Sequence, residues 1–311
     1  MRIVFMGTPE FAVTSLEALV NAGYNIVGVI TAPDKPAGRG RKINESAVKK
    51  YALSKGLHIM QPTNLKNPVF LKELIALDID LQIVVAFRML PVEVWSNPKF
   101  GTFNLHASLL PDYRGAAPIN WAIINGETKT GVSTFYINED IDTGAILKQE
   151  SVTINATETA GDLHDKLMTL GSKLILDTVE MIRLGKAKPE KQEEKKPKLA
   201  PKLNKDNCRI NWDKPKLQIY NQIRGLCPYP GAWTILENGG EQIELKIYET
   251  RILDEPHQLK NGTIIKSKKN IKIAVQDGFL DILELKLAGK RKMDTLSLIN
   301  GYEFKDDCKM I

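Results

Sequence analysis

Two side chains that together could stabilise a negatively charged oxygen lie in the segment from Gly101 to Pro118, which reads GTFNLHASLLPDYRGAAP. Asn104 and His106 are two residues apart at the end of a predicted strand, so both side chains emerge on the same face. An amide donor beside an imidazole, directed at one point, is what the oxyanion of a tetrahedral intermediate requires. A turn asparagine and a hydrogen-bonded core histidine would explain the same pair, but the special residues that follow in this loop favour a functional role.

A carboxylate that could act with His106 follows an alternating strand, in the segment GVSTFYINEDIDTG from Gly131 to Gly144. Asp142 close to a glycine is also typical of a plain turn, so this segment alone leaves both roles open. Paired with His106, Asp142 would supply the carboxylate that holds an imidazole charged or relays a proton. Asp140 and Asp142 also have a spacing seen in divalent metal sites, but no further ligands follow at suitable spacing, so we expect no catalytic metal.

The first predicted strand ends in Met6-Gly7-Thr8-Pro9, the place where a dinucleotide-binding loop would lie. The fingerprint of that loop needs three glycines, but here only the first is present and Pro9 and Glu10 occupy the later positions. A Rossmann-type dehydrogenase is therefore disfavoured.

Short apolar strands alternate with helical stretches in the first half of the chain. Strands are predicted over residues 2–6, 25–31, 80–87 and 102–106, and helices over 9–22 and 159–184. This alternation predicts an α/β fold with a Rossmann-like, mostly parallel sheet that helices cover on both faces. Ligands of such sheets bind beyond the carboxyl ends of the strands, which directs attention to the residues just after Met6, Phe87 and Leu105.

The composition changes at residues 185–206, where three prolines and many charged residues leave almost no apolar periodicity. Beyond this segment, short alternating strands are predicted over 243–248, 262–266, 271–275 and 279–287, which indicates a small OB-like β-barrel. We therefore predict a catalytic domain at 1–186, a basic Pro/Lys-rich linker at 187–206 and a C-terminal β-barrel domain at 207–311.

The chain has 311 residues, of which 43% are hydrophobic, and this excludes disordered, collagen-like and disulfide-scaffold proteins. Its three cysteines are far apart and form no Cys-x-x-Cys pair, which favours reduced thiols and a cytoplasmic location. The N-terminus has the pattern of a strand rather than of a signal peptide, and no apolar run approaches the ~18 residues of a membrane span. We therefore expect neither secretion nor membrane insertion.

The net charge of +6 is unevenly distributed. Residues 181–210 hold 10 basic and 4 acidic side chains, and residues 31–50 hold 6 basic side chains against 2 acidic ones. Clustered positive charge is typical of a protein with a polyanionic partner, although a solvated linker and a solvated loop would have the same composition.

The pattern Asn104-x-His106-x-Ser-Leu-Leu-Pro-x-x-Arg-Gly, followed by Asp142-Thr-Gly, resembles the folate-dependent formyltransferase family. The resemblance implies transfer of a formyl group from N10 of 10-formyltetrahydrofolate, the only cofactor expected, to an amine. It further implies that Asn104 and protonated His106 stabilise the oxyanion, and that Asp142 orients His106 and helps to remove the proton of the amine. The expected folate pocket is formed by Ser108, Leu109, Leu110 and Pro111, with Met89 and Leu90 from a second loop.

One segment departs from the family pattern. Family members commonly carry a glycine after the aromatic residue of Val-Ala-aromatic, whereas this chain continues Val85-Ala86-Phe87-Arg88. Arg88 would then lie near the mouth of the pterin pocket.

Within the family, the resemblance implies that the amine is the α-amino group of a methionyl initiator tRNA, formylated for the initiation of translation. This closer resemblance rests on five segments: the opening GTPEFA, the basic loop PDKPAGRGRK at 33–42, the Pro/Lys-rich linker, RINW at 209–212 and IRGLCPYPGAW at 223–233. It implies tRNA contacts by Lys35, Arg39, Arg41 and Lys42 and by the barrel domain, and we expect a monomer. The alternatives are a formyltransferase for an amino sugar or glycinamide ribonucleotide, a formyl-folate hydrolase, and a non-catalytic RNA-binding protein on the same fold.

Overall fold

The computed structural model describes residues 1–37 and 42–311, and it describes the side chains of all of these except residues 36, 37, 42 and 43. The chain forms two compact units, each built from several segments. Unit 1 comprises Met1–Gly115, Thr130–Val152 and His164–Leu199, and unit 2 comprises Ala116–Lys129, Thr153–Leu163 and Ala200–Ile311. The domain limits predicted from composition, 1–186, 187–206 and 207–311, stay a prediction.

Strands and helices alternate through the first half of the chain, and strands predominate in the second half. The strands are β1 (Arg2–Gly7), β2 (Asn25–Ile30), β3 (Lys35–Ala37), β4 (Lys42–Asn44), β5 (Ile59–Met60), β6 (Leu81–Val85), β7 (Thr102–His106), β8 (Arg114–Gly115), β9 (Lys129–Tyr136), β10 (Ile146–Thr153), β11 (Leu199–Ala200), β12 (Ala232–Asn238), β13 (Glu241–Leu253), β14 (Ile264–Lys266), β15 (Ile271–Val275), β16 (Gly278–Leu287), β17 (Met293–Asp294) and β18 (Lys309–Met310). The helices are α1 (Glu10–Asn21), α2 (Ala47–Ser54), α3 (Pro68–Ala76), α4 (Val92–Trp95), α5 (Pro118–Ile124), α6 (Ala160–Arg183), α7 (Lys216–Leu226) and α8 (Thr295–Gly301). Among the residues that the structure describes, none of these helices is both long and apolar enough to cross a bilayer.

Unit 1 is built on a seven-stranded sheet with the strand order β10-β9-β7-β6-β1-β2-β5. Strands β1, β2, β5, β6 and β7 run parallel, and β9 pairs antiparallel with β7. Strand β6 is buried along its whole length, as expected for an apolar strand that is covered on both faces. The predicted Rossmann-like, mostly parallel sheet is therefore confirmed.

The central strands of this sheet end level with one another. Gly7 at the end of β1 lies opposite Val85 at the end of β6, and Val85 lies opposite Leu105 in β7. The chain that follows each of these strands consequently leaves the sheet at the same edge, where ligands of parallel sheets bind.

Unit 2 contains an antiparallel sheet with the order β14-β15-β16-β13-β12-β18. An isolated bridge between Thr263 and Lys309 joins the two ends of this order, so the sheet is nearly closed. Gly262 has φ +83° at the closing point, and a Cβ built there would lie 2.2 Å from the carbonyl oxygen of Met310, so only glycine fits. The predicted small β-barrel is confirmed, and its apolar core includes Ile219 and Ile223 of α7.

Candidate active site

The end of β7 carries the asparagine and histidine that the sequence singles out. His106 is only 6% exposed, and Asn104 is half-buried. The two are separated by one residue in a strand, so their side chains lie on the same face of the sheet. The predicted juxtaposition at this edge of the sheet is therefore present.

The ring of His106 is held at one nitrogen. Its Nε2 lies 2.8 Å from the carbonyl oxygen of Tyr113, and since a carbonyl only accepts, Nε2 carries the hydrogen. Its Nδ1 faces Oδ2 of Asp142 at 3.8 Å, which is too long for a hydrogen bond but within the range of an ion pair when the ring is charged. A hydrogen at Nδ1 therefore requires the imidazolium form.

Asp142 is held in an unusual backbone conformation. Its φ is +55°, a region that aspartate adopts more readily than most residues but that still costs roughly 1–3 kcal/mol. Oδ2 of Asp142 accepts a 2.9 Å hydrogen bond from the backbone N–H of Gly115. Two residues on, Gly144 packs so closely that a Cβ there would lie 1.6 Å from the carbonyl oxygen of Tyr136. The turn is thus shaped by tight packing, and it directs the carboxylate towards His106.

Gln192 joins this turn to the segment after β7. Its Oε1 accepts from Nε of Arg114 at 3.1 Å and from Nη2 of Arg114 at 2.6 Å. Its Nε2 donates to the carbonyl oxygens of Asp142 at 2.9 Å and Gly144 at 2.8 Å. Gln192 is not predicted as a site residue from the sequence, because it lies in the Pro/Lys-rich segment. A single amide among lysines and glutamates would have been the only signal.

The loop Ser108–Pro111 is fixed by side chains of β9 and β10. Oγ of Ser133 donates to the carbonyl oxygen of Ser108 at 2.6 Å and accepts from the N–H of Leu110 at 3.1 Å. Nε2 of Gln149 donates both to this hydroxyl, at 2.7 Å, and to the carbonyl oxygen of Leu110, at 3.0 Å. Ser108, Leu110 and Pro111 are buried and Leu109 is half-buried, so the loop presents a rigid backbone. Ser133 and Gln149 are likewise not predicted from the sequence.

The second predicted folate loop follows β6. Leu90 packs its side chain into an apolar cluster with Val84 and Val94, whereas Met89 is 68% exposed. The guanidinium of Arg88 donates to the carbonyl oxygens of Pro62 and Thr63, the latter at 2.9 Å, and therefore ties this loop to the chain after β5.

The basic loop at 33–42 is only partly described. Lys35 is exposed, and its strand β3 pairs antiparallel with β4, which begins at Lys42. Arg39 and Arg41 lie outside the described residues, as does the side chain of Lys42. Lys49, which contributes to the basic excess of 31–50, is hydrogen-bonded to Asp34 and Glu45, and these bonds raise the pKa of its ammonium group.

These observations define a class of site. Two candidate donors and a carboxylate lie at the carboxyl edge of an α/β sheet, beside a rigid backbone loop. Such a set can stabilise an oxyanion and move a proton when a nucleophile adds to a carbonyl group, which is the chemistry of acyl transfer.

Comparison with known proteins places the chain in one family with this chemistry. The family pattern described as formyl transferase matches residues 1–179, and that described as formyl transferase, C-terminal domain, matches residues 202–303. The chain belongs to the formyl transferase family.

Two bacterial relatives are similar over their whole length. The methionyl-tRNA formyltransferase of Flavobacterium johnsoniae is 55% identical over 311 residues, which cover 100% of this chain and 99% of the relative. The methionyl-tRNA formyltransferase of Bacteroides thetaiotaomicron is 52% identical, with 100% of this chain and 98% of the relative covered.

Solved structures share the fold at low identity. An N-formyltransferase from Helicobacter canadensis, in complex with folinic acid and dTDP-3-aminofucose, has a TM-score of 0.67 and is 23% identical, over 94% of this chain and 99% of that one. HypX from Aquifex aeolicus in complex with tetrahydrofolic acid has a TM-score of 0.64 and is 18% identical, over 99% of this chain and 50% of that one.

Proposed function

We propose that this protein transfers the formyl group of 10-formyltetrahydrofolate to the α-amino group of methionyl initiator tRNA, for the initiation of translation. The observation that carries the proposal is the cluster of Asn104, His106 and Asp142 at the carboxyl edge of the sheet, in a member of the formyl transferase family. The choice of acceptor is supported by the two relatives, both methionyl-tRNA formyltransferases and more than half identical over the full chain.

The reaction is an addition of the amine to the formyl carbon, followed by loss of tetrahydrofolate. As the nitrogen adds, the carbonyl oxygen becomes negative, and the amide of Asn104 and Nδ1–H of charged His106 donate to it. Asp142 pairs with the charged ring and accepts the proton that the amine loses. The bond from carbon to N10 then breaks, N10 gains the proton that Asp142 accepted, and the products are the formylated amine and tetrahydrofolate.

The backbone of Ser108–Pro111 is proposed to bind the folate, together with Met89 and Leu90. Ser133 and Gln149 support this assignment because they hold the loop backbone in one arrangement before any ligand binds. A preorganised backbone binds its ligand without first losing conformational entropy. Because Leu90 is buried in the core, its proposed contact is made through its backbone.

The tRNA is proposed to contact four residues of the basic loop: Lys35, Arg39, Arg41 and Lys42. The linker and the barrel domain are proposed to provide further contacts. Lysine and arginine bind phosphates whatever the sequence, and the local excess of charge in 31–50 and 181–210 fits such a partner. We further propose that the protein is a cytoplasmic monomer, as expected from the sequence.

One assay separates this function from its alternatives. The protein is incubated with 10-formyltetrahydrofolate and, in parallel, with methionyl initiator tRNA, free methionine, an amino sugar nucleotide and glycinamide ribonucleotide. We expect formylation of the charged tRNA alone. Formylation of a small amine but not of the tRNA contradicts the proposal, and release of formate without transfer indicates a hydrolase.

A further inference from the structure

We propose that Gln192 is a positioning residue for Asp142, and that the Pro/Lys-rich segment therefore completes the active site instead of only connecting domains. This inference rests on the proposed function. Gln192 is 6% exposed, in contrast to Lys191 and Glu194, whose side chains are 83% and 81% exposed. A buried amide in such a segment loses rotamer freedom and gains no apolar burial, so its hydrogen bonds must compensate.

The side chain of Gln192 uses its complete hydrogen-bonding capacity. Both hydrogens of its amide nitrogen are donated, to the carbonyl oxygens of Asp142 and Gly144. Both lone pairs of its amide oxygen accept from the guanidinium of Arg114. Only an amide of this length offers two donors on one side and two acceptors on the other, so neither glutamate nor alanine can replace it.

The two ends of this amide reach the two segments that set the position of the Asp142 carboxylate. One end fixes the carbonyl of Asp142 itself, whose φ of +55° is sparsely populated and persists only where neighbours enforce it. The other end fixes Arg114, and the next residue, Gly115, supplies the N–H that binds Oδ2 of Asp142. Gln192 thus helps to hold the carboxylate 3.8 Å from Nδ1 of His106, without contacting the carboxylate or the imidazole.

The decisive variant is Gln192→Glu. A glutamate keeps the volume and gains an ion pair with Arg114, but it has no hydrogen to donate and directs an oxygen at the carbonyls of Asp142 and Gly144. We expect kcat to fall roughly 10- to 100-fold, since small displacements of a reacting group cost about that much. The KM values for tRNA and folate should stay close to wild type, because the proposed binding groups are unchanged. The Tm should fall, because the buried carbonyls of Asp142 and Gly144 lose their donors.

Two further measurements separate positioning from a structural role. In the Asp142→Asn background, Gln192→Glu should lower the single-turnover rate by less than about threefold, because residues that act as a unit are not additive. Gln192→Ala should lower kcat as Gln192→Glu does. The Tm of this variant shows how much the hydrogen bonds of the Gln192 side chain contribute to stability. Glu17→Gln, the same kind of exchange at an exposed glutamate of α1, is the matched control and should keep wild-type kcat.

All variants are measured with whichever amine the wild-type protein formylates. If the wild-type protein does not formylate the tRNA but formylates another amine, the proposed acceptor is overturned. The Gln192 variants can then still be compared with that other amine. A kcat for Gln192→Glu above half of wild type overturns the positioning role. The positioning role is also overturned if Gln192→Glu lowers the rate by the same factor in the wild-type protein and in the Asp142→Asn background. A wild-type protein that formylates no amine overturns both proposals.

Discussion

Asp142 and His106 face each other at 3.8 Å between Oδ2 and Nδ1, although they lie on opposite sides of strand β9 in the sequence. The ring is anchored from behind by the carbonyl of Tyr113, and the carboxylate by the N–H of Gly115. Both anchors come from the segment that follows β7. This segment therefore sets the separation of the pair, and the proposed mechanism depends on that separation.

The charge of Asp142 is the first testable feature. Asp142→Asn keeps an oxygen that can accept from Gly115 but removes the negative charge opposite His106. We expect kcat to fall about 10²- to 10³-fold, because the imidazolium loses its partner and the amine loses its proton acceptor. Steady-state formylation of tRNA measures the loss. Asp140→Asn changes an exposed carboxylate two residues away and should be neutral; near-normal turnover of Asp142→Asn would refute the assigned role.

The amide of Asn104 provides the second prediction. Asn104→Asp keeps the shape but replaces the donating nitrogen with an oxygen that repels a developing oxyanion. Removing one such donor typically costs about 10²- to 10³-fold in kcat, and we expect at least this loss with the fold intact. Circular dichroism and Tm serve as the folding controls. If Asn104 only satisfies a turn, Asn104→Ala will lower Tm and leave kcat largely unchanged.

Ser133 provides the third prediction, on the loop Ser108–Pro111 that is proposed to bind the folate. Ser133→Ala leaves the buried N–H of Leu110 and carbonyl of Ser108 without their hydroxyl partner. We expect the free energy of unfolding to fall by about 1–3 kcal/mol and the KM for 10-formyltetrahydrofolate to rise about tenfold. Denaturant unfolding and folate titration measure the two effects. Ser54→Ala, at an exposed serine on α2, is the control and should change neither quantity. An unchanged KM for folate in Ser133→Ala would show that this loop is not part of the folate pocket.

The basic loop provides the fourth prediction. Arg39→Ala and Lys42→Ala should raise the KM for tRNA and leave the KM for folate unchanged. Each phosphate contact that is lost should reduce the slope of log kcat/KM against log salt concentration by about 0.7 to 0.9 in magnitude, since fewer counterions are released. Lys72→Ala removes an exposed lysine from α3 and is the control. A salt slope that stays at the wild-type value in both loop variants contradicts tRNA binding by this loop.

Much of the framework could be predicted from the sequence because its signals are local. Strands β7 and β15 have the predicted bounds, and the helix predicted over 159–184 corresponds to α6 at Ala160–Arg183. Apolar periodicity depends on residues a few positions apart, so it is readable without any knowledge of tertiary contacts. The shared face of Asn104 and His106 follows from the same local geometry.

The tertiary structure alone decided which distant residues support the site. Ser133 reaches the loop Ser108–Pro111 because β9 pairs with β7 and places Ser133 opposite His106. Gln192 reaches Asp142 across 50 positions of sequence, from a segment whose composition indicates only solvated charge. The two-residue strand β18 closes the barrel through a bridge to Thr263. Sheet order and loop packing create these contacts, and neither produces a periodic pattern in the sequence. The sequence therefore determined the proposed reacting groups, and the fold determined which residues hold them in place.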